Sequence, residues 1–152
     1  MKSYKQVREI LAYIRLFHVQ MREFYHRLHK KDEQQRIKII LDFLCRHEKH
    51  REETLAQYEA ETSKKILDTW FQYIPEHTVS ECLEDTEIQA NMSVDDVIGI
   101  ALDLDNCIIE TYMALIEETD VDEVKEVFSK LLKRLESEKK NLMRDSLWLY
   151  DV

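Results

Sequence analysis

At 152 residues the chain is long enough for one domain with a sizeable buried core. With 44% apolar and 35% charged residues, it reads as neither a disordered tail nor a membrane-embedded protein. One glycine and one proline exclude glycine-rich phosphate loops and leave β-rich or doubly wound folds short of turn residues. Long helices remain.

The net charge of −9 is unevenly spread. Residues 1–65 carry fifteen bases and ten acids, residues 66–124 carry no Lys or Arg against sixteen acids, and residues 125–152 carry seven bases and five acids. A net acidic chain without a basic stripe argues against nucleic acid as a partner. The acidic middle reads as a solvated face, with docking against a basic surface as the weaker possibility. Cys45, Cys82 and Cys107 are odd in number, widely spaced and without a CxxC, which predicts reduced thiols and a cytoplasmic protein. The first twenty residues lack the unbroken apolar segment of a signal peptide, and no run approaches the length needed to span a membrane.

Four helices follow from three- and four-residue spacing of apolar side chains. The first runs from about Tyr4 to His29 through Val7, Ile10, Leu11, Ile14, Met21, Phe24, Tyr25 and Leu28. After KKDEQQ, the second runs from about Asp32 to Glu61 through Ile37, Ile40, Leu44, Leu55 and Tyr58. A crossover of about thirty residues, 62–92, holds Pro75 and an apolar cluster of Ile66, Trp70, Phe71, Tyr73 and Ile74. Ser93 is a good N-cap for the third helix, with Asp95 and Asp96 in its first turn. That helix carries Val94, Val97, Ala101, Ile108, Tyr112 and Leu115. Thr119-Asp120 ends it, and the fourth runs through Val124, Phe128, Leu131, Leu135 and Leu142 to about Arg144. The tail, residues 145–152, is expected to fold back on the bundle end. Two antiparallel hairpins joined by a long connection predict an all-α four-helix bundle with one crossover.

The chain also repeats itself. His18-x6-Tyr25-x2-Leu28 on helix one matches Asp105-x6-Tyr112-x2-Leu115 on helix three, each with an apolar residue four positions earlier, Ile14 and Ala101. Helices two and four align as Ile40-x2-Phe43-x6-His50-x3-Thr54 against Phe128-x2-Leu131-x6-Glu138-x3-Leu142. This places His18, His47, His50, Asp105 and Glu138 at inward positions. Buried unpaired charge costs several kcal/mol, so such groups are paired or bind a metal. His47 and His50, three apart, lie on one helix face and can converge on one ion.

The stretches LFHVQMREFYHRL, FLCRHEKHREETL, DDVIGIALDLDNCIIETYMAL and VKEVFSKLLKRLESEKKNLM resemble the rubrerythrin-like branch of the ferritin-like superfamily over nearly the whole chain. That resemblance implies a ferritin-like bundle and a di-iron centre built from Glu, Glu-x-x-His, Glu and Glu-x-x-His on successive helices. Carried over, those positions fall on His18, on His47 and His50, on Asp105, and on Leu135 and Glu138, with only His50 identical. The bridging glutamates of the two pairs are replaced by His47 and Leu135, and the family's C-terminal CxxC iron module is absent.

One Fe or Zn ion is therefore expected in place of two irons, held by His18, His47 and His50, with Glu138 as fourth ligand and Asp105 through water. Redox chemistry on peroxide or dioxygen would follow from such a site. The competing expectation is a degenerate bundle, without metal, that serves as a structural or protein-interaction module. In it Asp105 bonds Tyr25 or an imidazole, Glu138 reaches water at the bundle edge, and Tyr25 and Tyr112 pack in the core with hydroxyl partners. His26, His29 and His77 read as surface residues. The crossover aromatics Trp70, Phe71 and Tyr73 suggest a homodimer interface.

Overall fold

The computed structural model describes residues 3–73, 79–84, 86 and 91–146. Four long helices form the bundle: α1 (Val7–Lys31), α2 (Gln35–Glu61), α5 (Val94–Glu118) and α6 (Asp122–Ser146). Helix α1 packs along α2 and α5 along α6, and α2 meets α5 across the centre. At 1.5 Å per residue the 25-residue helices are roughly 38 Å long. The connection between the hairpins contains two short helices, α3 (Lys64–Leu67) and α4 (Val79–Glu84), and the strand β2 (Trp70–Tyr73). Among the described residues no helix is long and apolar enough to cross a membrane.

Each helix begins and ends for local reasons. The basic residues His29, Lys30 and Lys31 complement the C-terminal dipole of α1. Asp32 Oδ1 then accepts from the Gln34 amide at 2.8 Å and turns the chain into α2. Ser93 and Asp96 form the capping box of α5, each side chain accepting from the other's backbone N–H at 3.1 and 2.9 Å. Thr119, buried between α5 and α6, accepts from the Val121 amide.

The predicted start of helix one at Tyr4 is corrected. Residues 3–6 form a strand, β1 (Ser3–Gln6), antiparallel to β2 with Tyr4 opposite Gln72 and Gln6 opposite Trp70. The Val7 amide continues the pairing by donating to the Thr69 carbonyl, and Arg8 bonds Asp68 beside it. These long-range partners, 60 residues away for Arg8, offset the loss of one helical turn.

The thiol expectation is corrected as well. Cys82 of α4 and Cys107 of α5 form a disulfide, which leaves Cys45 as the free, half-buried cysteine. The bundle brings together two cysteines whose 25-residue separation carries no signal in the sequence. The cytoplasmic assignment therefore loses the reduced thiols on which it stood. In the crossover cluster, Ile66 packs on the core while Trp70 is 59% exposed. Ile74, His77 and the tail beyond residue 146 lie outside the described residues.

A buried arginine among carboxylates: the candidate functional site

The inward stripe of α2 runs Ile37, Ile40, Leu41, Leu44, Glu48, Arg51, Leu55. From Leu44 the steps are four, three and four residues, the period of one helix face, so Glu48 and Arg51 enter the core by the same rule as their apolar neighbours. Both are almost wholly buried, at 2% and 3% exposure.

The Arg51 guanidinium is the hub. Its Nη1 donates to Glu48 Oε1 at 2.8 Å and to Asp105 Oδ1 at 2.6 Å, Nη2 donates to Asp105 Oδ2 at 3.1 Å, and Nε donates to Glu138 Oε2 at 2.9 Å. On the far side of Glu48, His18 Nδ1 donates to Oε2 at 2.6 Å. At the rim Arg134 bonds the second oxygen of Glu138 at 3.3 Å and reaches Thr54. The network thus joins His18 of α1, Glu48 and Arg51 of α2, Asp105 of α5 and Glu138 of α6. A cavity of about 30 Å³ borders it, lined on its polar side by His18, Arg51, Thr54, Tyr112, Arg134 and Glu138. That is room for a water molecule.

The electrostatics follow from burial in competition with Arg51. Burial alone would raise the Glu48 carboxyl, but Arg51 and the hydrogen-bonded His18 prevail and hold it below the usual range. For Asp105 burial wins: its carboxyl is raised although Arg51 pulls it down. The three carboxylates in turn hold the Arg51 proton more tightly than usual, despite burial. Tyr25 is raised well above its ordinary value by burial and by the charges of Glu48 and Asp105.

The structure brings together three of the five sequence-predicted ligands, His18, Asp105 and Glu138. Asp105 bonds Arg51, in place of the expected Tyr25 or imidazole, and Glu138 is 17% exposed at the edge. The inward placement of His50 is corrected, because its side chain is exposed. His47 is half-buried beside the network, its ring stacked on Phe43 with centroids 6.0 Å apart. Its Nε2 is buried without a hydrogen-bond partner among the described residues, and burial, reinforced by Arg51, lowers its basicity. Among the described residues the Tyr25 hydroxyl also lacks the expected partner. His26 is exposed, and His29 pairs with Asp42 at 3.2 Å. Among the described residues, no group of three or more His, Cys, Asp or Glu is arranged to hold a metal ion.

Glu48 and Arg51 are the residues sequence reasoning missed, and the repeat held the signal. His18 and Asp105 are 87 residues apart. The same offset carries Ile37, Ile40, Leu41, Leu44, Glu48, Arg51 and Leu55 onto Val124, Val127, Phe128, Leu131, Leu135, Glu138 and Leu142. Apart from the edge residue Glu138, all of them are buried. Aligning helices two and four one residue out of that register rotates α2 by about 100° and exchanges Glu48 and Arg51 for His47 and His50.

No protein-family model and no curated protein matches this chain. Among solved structures it is similar to the 2.30 Å crystal structure of a candidate ferritin-like diiron-carboxylate protein from Thermotoga maritima, at 17% identity and a TM-score of 0.56, covering 93% of this chain and 94% of that one. The fold is ferritin-like. The ferritin-like order of helices, with its long crossover between α2 and α5, is what brings His18, Glu48, Asp105 and Glu138 to one level of the bundle.

Proposed function

We propose that the chain is a metal-free member of the ferritin-like fold, in which Arg51 supplies the interior cation, and that it acts as a structural or protein-interaction module. The observation that carries this reading is the saturation of the carboxylates. Both oxygens of Glu48, of Asp105 and of Glu138 already accept from Arg51, His18 or Arg134. A pair of irons does not fit this interior. Each ion needs free carboxylate oxygens, and a guanidinium among them repels a second cation. As a module, the chain offers the β1–β2 ribbon. Tyr4 and Trp70 lie on one face of it, 66% and 59% exposed, and the partner we propose is a second copy.

A second reading keeps the notion of one Fe or Zn ion within the rubrerythrin-like branch. It is supported by the sequence resemblance, by the name of the Thermotoga maritima protein, and by the unpartnered Nε2 of His47. Metal analysis of protein purified without chelators separates the two. The first reading expects less than a tenth of an equivalent of iron or zinc per chain. A stoichiometric ion that is lost in His47→Ala would establish the second. Size-exclusion chromatography with light scattering tests the partner: a dimer weakened by Trp70→Ser is expected, and a monodisperse monomer removes that part of the proposal.

A further inference from the structure

The geometry points to a self-association face on the outside of α5 and α6, where a second copy docks by matching opposite charges across an apolar strip. This face is separate from the β1–β2 ribbon and stands without it. Leu104, Asp105, Ile108 and Tyr112 fill the core side of α5, yet a second apolar series runs along its outer side. Leu102, Ile109 and Ile116 recur every seven residues, half-buried, and Met113 between them is 50% exposed. On α6, Lys139 donates to Asn106 Oδ1 and shares its helix face with Leu132, seven residues before, and Met143, four residues after. Leu132 is half-buried and Met143 is 50% exposed, so both border the same strip. From Leu102 to Ile116 it is about 21 Å long.

The two edges of the strip carry opposite charge. Asp103, Glu110 and Glu117 each follow one of the recurring apolar residues, about 100° further round α5. All three are exposed, and α5 holds no Lys or Arg. The edge of α6 carries exposed Lys133 and Lys140, with half-buried Lys125 near its start. Among the described residues, none of these six forms an ion pair. The Asn106–Lys139 bond and the Tyr112–Phe128 ring contact, 6.3 Å between centroids, set the antiparallel register of the two helices. In that register Asp103 stands level with Lys140, Glu110 with Lys133 and Glu117 with Lys125. Within one chain the strip keeps each pair apart.

A two-fold axis along the helices closes those pairs between chains. It lays α5 of one copy on α6 of the other, antiparallel and at the same level, so that each acidic edge meets a lysine edge and the strips face each other. A two-fold axis across the helices would set acids on acids and lysines on lysines. A partner helix of one charge sign satisfies one edge and is repelled by the other, which is why the occupant is a second copy.

Exposed ion pairs are individually weak, so this contact builds with concentration. Light scattering of the full chain follows it from about 10 µM to about 1 mM in ~50 mM salt. The mass is expected to double over that range, from one copy to two, or from two to four where the ribbon contact holds as well. Reversing the acidic edge (Asp103→Lys/Glu110→Lys/Glu117→Lys) or the lysine edge (Lys125→Glu/Lys133→Glu/Lys140→Glu) should weaken the doubling at least ~10-fold. An equimolar mixture of the two variants should restore it, because the mixed pair carries the total charge of two native chains. No doubling in the native chain, or doubling that either edge variant retains, overturns the face. Edge variants that lose the doubling and do not regain it on mixing overturn the two-fold pairing. A starting mass unchanged by Trp70→Ser removes the ribbon contact and leaves this face intact.

Discussion

Arg51 and Glu138 occupy equivalent positions in the two helical hairpins, 87 residues apart, and bond each other across the bundle through Nε and Oε2 at 2.9 Å. His18 and Asp105 stand at the same offset on the partner helices, so the first hairpin contributes the cationic hub and the imidazole while the second contributes carboxylates. The repeat is thus symmetric in shape and complementary in charge. A buried arginine with carboxylate partners from three helices ties both hairpins into one register.

Removing that hub strips Asp105 of its hydrogen bonds from Arg51 and leaves Glu48 with His18 and Glu138 with Arg134. Arg51→Ala is expected to cost about 3–5 kcal/mol in urea denaturation without added metal. Arg51→Lys should recover only part of it, because an ammonium keeps the charge but not the planar fork that serves Glu48, Asp105 and Glu138 together. Equal stability of the lysine variant and the native chain would show that charge alone matters.

Stability should fall with acid in two steps. The basicity of His47 is lowered by burial and by Arg51, so the unfolded chain binds its proton more readily, and stability drops as the pH falls through the ordinary histidine value near 6.5. Glu48 is held below the usual carboxylate range, so its contribution is intact above about pH 4.5 and disappears below that. Asp105, raised by burial, acts in the opposite sense and offsets part of the second step. Denaturation midpoints of the native chain and of His47→Phe, compared between pH 7.5 and 5.5, isolate the first step. The variant should lose less stability over that interval, and parallel losses would assign the step to other histidines.

The Cys82–Cys107 bond closes a loop of about 25 residues, for which chain entropy gives roughly 3 kcal/mol. Alkylation under denaturing conditions should label one cysteine, Cys45, before reduction and three after it. Cys107→Ser should lower Tm by about 6–12 °C. Three labelled thiols in the unreduced protein would show that the bond does not form in the isolated chain.

Much of the bundle could be read from the chain directly. Scarce glycine and proline, apolar stripes at helical spacing, the Ser93 cap and the long gap before it fix four helices and their crossover, because helix period, caps and turns are local physics. Leu131, Leu135 and Leu142 likewise keep α6 in register, since an unbroken apolar stripe admits one inward face. The α2 face was harder to read. Between Leu44 and Leu55 every residue is polar or charged save the half-buried Cys45, so the stripe gives no local sign of which polar side chains enter the core. That choice depends on Asp105 and Glu138 arriving from the other hairpin to meet Arg51, and without them a buried guanidinium would be too costly to expect. The β1–β2 ribbon and the Cys82–Cys107 bond belong to the same class. Each is made by segments distant in sequence, whose encounter is decided only when the helices pack.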